Sequence, residues 1–124
     1  MATILVVEDN PLNMELATDL LQTAGYQVRQ AFAADAGIQL ARTEAPDLIL
    51  MDLRLPGMSG YQALQVLKAD PLTGGIPTVA LTAQAMEGDD RAVLAAGFDG
   101  YLSKPINARA FLAEVARLLG NRAG

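Results

Sequence analysis

The chain has 124 residues, 52% of them hydrophobic, with 9 basic and 14 acidic side chains and a formal charge of −5. That composition can bury a core of about one domain's size and excludes a mainly disordered chain. With neither cysteine nor histidine present, disulfides, zinc–thiolate sites, thiol nucleophiles and an imidazole base are excluded, and any bound metal should be a hard, oxygen-liganded cation.

Ile4-Leu5-Val6-Val7 is a short, continuous apolar run rich in β-branched residues, the pattern of a strand buried on both faces. Asn10-Pro11 reads as an N-cap followed by the first helical residue. Leu12, Leu16 and Leu20 recur at helical spacing, and Gly25 closes that helix. Tyr26-Gln27-Val28-Arg29 is a more polar strand, expected near a sheet edge. An alanine-rich helix from about Ala34 to Thr43 stops before Pro46. Leu48-Ile49-Leu50-Met51 is the second strongly buried strand.

Pro56-Gly57-Met58-Ser59-Gly60 forms a loop in which Ser59 caps the helix carrying Tyr61, Leu64 and Leu67. Asp70-Pro71 and Gly74-Gly75 punctuate the chain before a strand at Thr78 to Leu81. A helix from about Gln84 to Gly97 precedes a strand at Phe98 to Leu102. The last helix is expected from about Asn107 to Gly120, with Phe111, Val115 and Leu118 on its apolar side. Met51, Met58 and Met86 read as core or loop filler.

Five βα units with short connections favour a parallel sheet joined by right-handed crossovers. No apolar run approaches the ~20 residues of a membrane helix, and the N-terminus lacks the pattern of a secretory signal. No Lys/Arg cluster is present to displace counterions from phosphates, which argues against nucleic acid as a direct partner.

Ligands of open parallel sheets bind beyond the carboxyl ends of the strands. Those ends carry Glu8-Asp9, Asp52, Thr82-Ala83 and Lys104-Pro105. The expected topology gathers three carboxylates, one ammonium and one hydroxyl on a single edge. Any one of these residues alone is an ordinary polar strand ending; the whole set on one edge is not. Carboxylates about 4 Å apart repel by about 4 kcal/mol at an effective dielectric near 20. An oxygen-only cluster open to water suits Mg²⁺, which keeps several waters and leaves positions for phosphate oxygens.

In this order the motifs resemble a response-regulator receiver domain of the CheY-like kind, over essentially the whole chain. The separations agree as well: 43 residues from Asp9 to Asp52, 30 from there to Thr82 and 22 to Lys104. Val7-Glu8-Asp9-Asn10, Asn13-Met14 and Lys104-Pro105-Ile106 look most like the DivK-type single-domain members. The resemblance implies a doubly wound (βα)5 flavodoxin-like α/β fold, with a parallel five-stranded sheet in the order 2-1-3-4-5 and one receiver domain over residues 1–124.

It further implies that Asp52 is the phosphoacceptor. Asp9, Asp52 and the backbone carbonyl of Arg54 would hold Mg²⁺, with Glu8 acting through water. Lys104 and Ala83 would contact the phosphoryl group, and Thr82 and Tyr101 would form the switch. Arg54 and Gln84 would flank the path of an attacking water. The protein is then a phosphorylation-dependent signalling switch in the cytoplasm, a phosphoacceptor that catalyses its own phosphoryl transfer and dephosphorylation and otherwise no enzyme.

Its partners are a sensor histidine kinase or histidine phosphotransfer protein, which helix one is expected to meet, and a downstream target. That target is expected on the face formed by helix four, strand five and helix five. No membrane partner is expected, and the protein itself is a monomer or weak dimer. Independently of any family, a chain without histidine cannot supply its own phosphohistidine.

Three rival readings remain to be weighed. A receiver excised from a hybrid kinase or longer regulator would carry the same residues. An aspartyl-phosphate phosphatase would want a second Asp two places after Asp52, where Arg54 stands. A nucleotide or flavin module would want a Gly- or Ser/Thr-rich loop where Glu8-Asp9-Asn10-Pro11 is found. Glu87, Asp89 and Asp90 near the start of helix four fit its dipole better than a second metal site.

Overall fold

The computed structural model describes the backbone of residues 2–82, 89–103 and 107–123, and the side chains of 2–82, 91–103 and 107–120. Five strands, β1 (Thr3–Val7), β2 (Gln27–Ala31), β3 (Leu48–Asp52), β4 (Thr78–Thr82) and β5 (Gly100–Ser103), alternate with five helices. These are α1 (Pro11–Thr23), α2 (Ala34–Glu44), α3 (Gly60–Ala69), α4 (Asp89–Ala96) and α5 (Ala108–Ala123). All strand pairs are parallel, and the sheet order is β2-β1-β3-β4-β5. The polar strand β2 lies at one edge, where water reaches it, and the fully buried β3 lies at the centre.

Alternation along the strands divides the core into two layers. Leu5, Val7, Ile49, Met51 and Ala80 pack on one face with Ala41, Leu64, Leu67 and Val93. Ile4, Val6, Leu48, Leu50, Val79 and Leu81 pack on the other with Met14, Leu21, Phe111 and Val115. Thus α2, α3 and α4 cover one side of the sheet while α1 and α5 cover the other. At the amino edge of the sheet, two aspartates fasten strand starts. Asp47 Oδ2 accepts from Thr3 N–H and Asp99 Oδ2 from Thr78 N–H, both at 2.8 Å.

Local sequence explains the helix ends. Asn10 Oδ1 accepts from the N–H groups of Leu12 and Asn13 at 2.9 and 3.1 Å, ahead of Pro11. Ser59 and Gln62 form a reciprocal capping box at α3. Gly25, just past α1, has φ +99°, the left-handed conformation that stops a helix.

The structure departs from expectation in four places. β2 begins at Gln27, because Tyr26 packs against the core instead of joining the ladder. β5 begins at Gly100: Gly97 takes φ +115° and Phe98 N–H turns back to Val93 O, so Phe98 still belongs to the end of α4. α5 continues through Gly120 to Ala123; glycine weakens a helix by about 1 kcal/mol without forbidding it.

The fourth difference is the face of α1. Of the stripe Leu12, Leu16 and Leu20, expected to point inward, only Leu20 packs partly against the core; Leu12 and Leu16 are 76% and 42% exposed, whereas Met14, Ala17 and Leu21 are buried. Both sets have helical spacing, but Leu12 and Met14 stand about 200° apart around the axis. The small Ala17 lets the helix approach the sheet. Truncating Met14 to Ala should therefore cost about 2–4 kcal/mol in denaturant unfolding, and Leu12→Ala less than about 0.5 kcal/mol. Equal losses would contradict this orientation.

Candidate functional site

The carboxyl edge of the sheet collects the acidic residues. Asp52 is the last residue of β3, opposite Leu81 of β4 in the ladder, and is 4% exposed. Glu8 follows β1 directly, its N–H donating to Ala31 O at 3.0 Å as a continuation of the pairing with β2. It is buried, while Asp9 is exposed. One carboxylate oxygen from each of Glu8, Asp9 and Asp52 lies within 4.8 Å of the others. Residues 8, 9 and 52 are thus brought together as expected, by the adjacency of β1 and β3.

Backbone N–H groups orient two of these carboxylates. Arg54 N–H donates to Asp52 Oδ1 at 2.9 Å, and Asn10 N–H donates to Glu8 Oε2 at 3.1 Å. The Arg54 side chain is exposed. Asn10 therefore has a task that was missed in the sequence: besides capping α1, it holds Glu8. The only signal available was a donor two residues beyond the acid, a spacing common in ordinary turns.

Thr82 ends β4 and is 8% exposed. It follows Leu81, the ladder partner of Asp52, and Leu53 N–H donates to Leu81 O at 3.0 Å, extending the pairing past Asp52. Tyr101 lies opposite Ala80 on β5 and is half-buried against the α2–α3–α4 side of the core. Lys104, Pro105, Ala83, Gln84, Met86 and Glu87 lie outside the described residues, as do the side chains of Asp89 and Asp90.

The donor set at the cluster is made of oxygen alone, with two buried members and one open to water. This chemistry fits a hard divalent cation such as Mg²⁺. Among the described residues this is the one group of three or more such side chains close enough to share an ion.

Away from the cluster, β5 and α5 enclose a groove of about 450 Å³ lined by Tyr101, Leu102, Ser103, Asn107, Phe111 and Glu114. A Cβ on Gly100 would meet the Glu114 carboxylate, so this glycine makes room for it. Glu114 accepts a hydrogen bond from Arg117 Nε at 2.6 Å. That bond, reinforced by the Glu114 charge, holds the Arg117 guanidinium above the usual arginine range. Among the described residues, no helix is long and apolar enough to cross a membrane.

Similarity to known proteins follows the same arrangement. The polar-differentiation response regulator DivK of Brucella ovis is 40% identical over 119 residues, covering 96% of this chain and 97% of the relative. The receiver domain of the sensor histidine kinase PA1611 of Pseudomonas aeruginosa superposes with a TM-score of 0.88 at 35% identity, over 96% of this chain and 98% of that one. In that structure a magnesium ion is coordinated in the active-site cleft. The chemotaxis protein CheY4 of Vibrio cholerae also gives a TM-score of 0.88, at 26% identity over 95% and 98% of the two chains. Residues 4–116 match the family described as response regulator receiver domain, and with acids gathered where β1 and β3 of a 2-1-3-4-5 sheet end, the chain belongs to that family of phosphoryl-accepting signalling switches.

Proposed function

We propose that Asp52 is the nucleophile that accepts the phosphoryl group, and that the acidic cluster is a magnesium site. The observation that carries this reading is the burial of Asp52 at the end of β3, with oxygens of Glu8 and Asp9 within 4.8 Å. An Asp52 carboxylate oxygen attacks phosphorus in line. The new O–P bond forms as the bond to the leaving group breaks, and the leaving group departs with the electron pair. Asp9, Asp52 and the Arg54 carbonyl would hold the cation, with Glu8 reached through water. When bound, Mg²⁺ supplies positive charge to the phosphoryl oxygens.

Residues of this chain do the remaining work. Arg54 N–H donates to Oδ1 of Asp52 and so orients the attacking carboxylate. Lys104 binds a phosphoryl oxygen, and the backbone of Ala83 approaches it. Thr82 turns its hydroxyl toward the group, and Tyr101 turns inward beside Ala80. The phosphate adds about −1.5 to −2 charge and biases a conformational equilibrium that exists without it. Loss of the phosphoryl group to water is catalysed by the same site, with Arg54 and Gln84 flanking the water's path.

The donor is a phosphohistidine of a separate kinase or phosphotransfer protein; these 124 residues contain no histidine that could serve as one. The exposed Leu12 and Leu16 of α1 suit them to meet it, and the α4–β5–α5 face, with its groove, suits a downstream target. Residues 1–124 act as one receiver unit in the cytoplasm, monomeric or weakly dimeric. Incubation with acetyl phosphate and Mg²⁺ should add one phosphoryl group by intact mass, and chelation with EDTA should abolish the gain. Full labelling in EDTA would remove the magnesium assignment.

A further inference from the structure

The Asp52 carboxylate is placed only as well as the peptide units that follow it. Leu53 stays in the sheet through its bond to Leu81 O, and Arg54 N–H turns back to Asp52 Oδ1 at 2.9 Å. The chain then leaves through residues 53–59 and returns at Gly60, the first residue of α3. Gly60 lands on the segment just vacated. Its N–H donates to Leu53 O at 3.1 Å. A Cβ there would meet the Asp52 carbonyl oxygen, the Leu53 Cα at 2.8 Å and the Asp52 carbonyl carbon at 3.1 Å.

All three of those atoms belong to the main chain, so no flexible side-chain end can swing aside. The requirement for glycine does not come from its own torsion, because the positive-φ glycines among the described residues are Gly25, Gly57 and Gly97. Nor does the cap ask for it: Ser59 and Gln62 complete the capping box by themselves, and glycine is a poor helix former. Close approach to Asp52 and Leu53 is the remaining reason.

We infer that Gly60 is a positioning residue for the Asp52 carboxylate. Its bare Cα presses on the Asp52–Leu53 peptide, fixes the direction of the Arg54 N–H, and through that hydrogen bond fixes Oδ1. The inference rests on the reading of Asp52 as nucleophile only for its effect on rate, not for the geometry.

The test compares Gly60→Ala with Leu67→Ala, a core truncation on the same helix, under conditions where both remain folded. Two quantities are followed: the acetyl phosphate labelling rate at saturating Mg²⁺, and the hydrogen exchange of the Arg54 amide without Mg²⁺ or phosphate. Gly60→Ala should label at least about tenfold more slowly per folded molecule, with Arg54 exchanging about tenfold faster than in Leu67→Ala. Labelling at the wild-type rate, or Arg54 protection equal to that in Leu67→Ala, would overturn the inference.

If the wild-type protein itself fails to label while Arg54 still opens in Gly60→Ala, the positioning inference stands and the phosphoacceptor reading falls. Should Gly60→Ala not fold, the double variant Ser59→Ala/Gln62→Ala loosens the first turn of α3 without adding bulk. It should slow labelling several-fold and raise Arg54 exchange in step; wild-type values for both would overturn the inference.

Discussion

Asp52→Asn protein incubated with acetyl phosphate and Mg²⁺ gains no phosphoryl group, where the wild-type chain gains one. The carboxamide matches the carboxylate in shape and keeps an oxygen to accept from Arg54 N–H, so the fold and that 2.9 Å bond should survive. The negative charge and the nucleophilic lone pair do not. Removing a nucleophile costs more than removing a single stabilising donor, which already costs about 10²–10³ in rate. The labelling rate should therefore fall by roughly 100-fold or more. Labelling of the variant at the wild-type rate would move the nucleophile elsewhere. Because the chain has neither cysteine nor histidine, the other candidates would be carboxylates or hydroxyls.

The second large effect is on stability. Three carboxylate oxygens within 4.8 Å of one another repel by about 3 kcal/mol per pair at an effective dielectric near 20, and by about 1 kcal/mol where water intrudes. Since Asp9 is exposed, the lower figure governs its pairs. Asp9→Asn should stabilise the metal-free protein by about 1–2 kcal/mol, a rise in Tm of roughly 4–8 °C for a domain of this size. In the wild-type chain, Mg²⁺ at about 100 times its Kd should stabilise by about 2.7 kcal/mol. Asp9→Asn should lose most of that response. Thermal unfolding with and without Mg²⁺ checks both effects, and a variant less stable than wild type without metal would contradict the repulsion.

The alternating parallel α/β arrangement and the cluster were legible because they follow from the strongest signals in the chain, while the strand order 2-1-3-4-5 came from the family resemblance. The apolar runs at Ile4, Leu48 and Thr78 can only be buried strands, and their polar successors Glu8, Asp9, Asp52 and Thr82 must then share one edge. The orientation of α1 was not legible. Its two apolar stripes share the helical spacing, and Leu12 and Leu16 face solvent because Met14, Ala17 and Leu21 fit the sheet. The start of β5 was hidden by Gly97 and Phe98, whose folding back onto α4 is a tertiary contact. Gly60 looked like part of a Gly-containing loop; only its contact with the Asp52 backbone, across seven intervening residues, gives it a role. Asn10 was read as a cap, and its hold on Glu8 depends on where β1 delivers the carboxylate.

Chemical trapping tests the central claim most directly. Borohydride reduces an aspartyl phosphate to homoserine, so treatment of the labelled protein, digestion and tandem mass spectrometry locate the acceptor. Homoserine at position 52 and nowhere else is the predicted result. Homoserine at position 9, or a label that resists reduction because it sits on a hydroxyl such as that of Thr82, would contradict it.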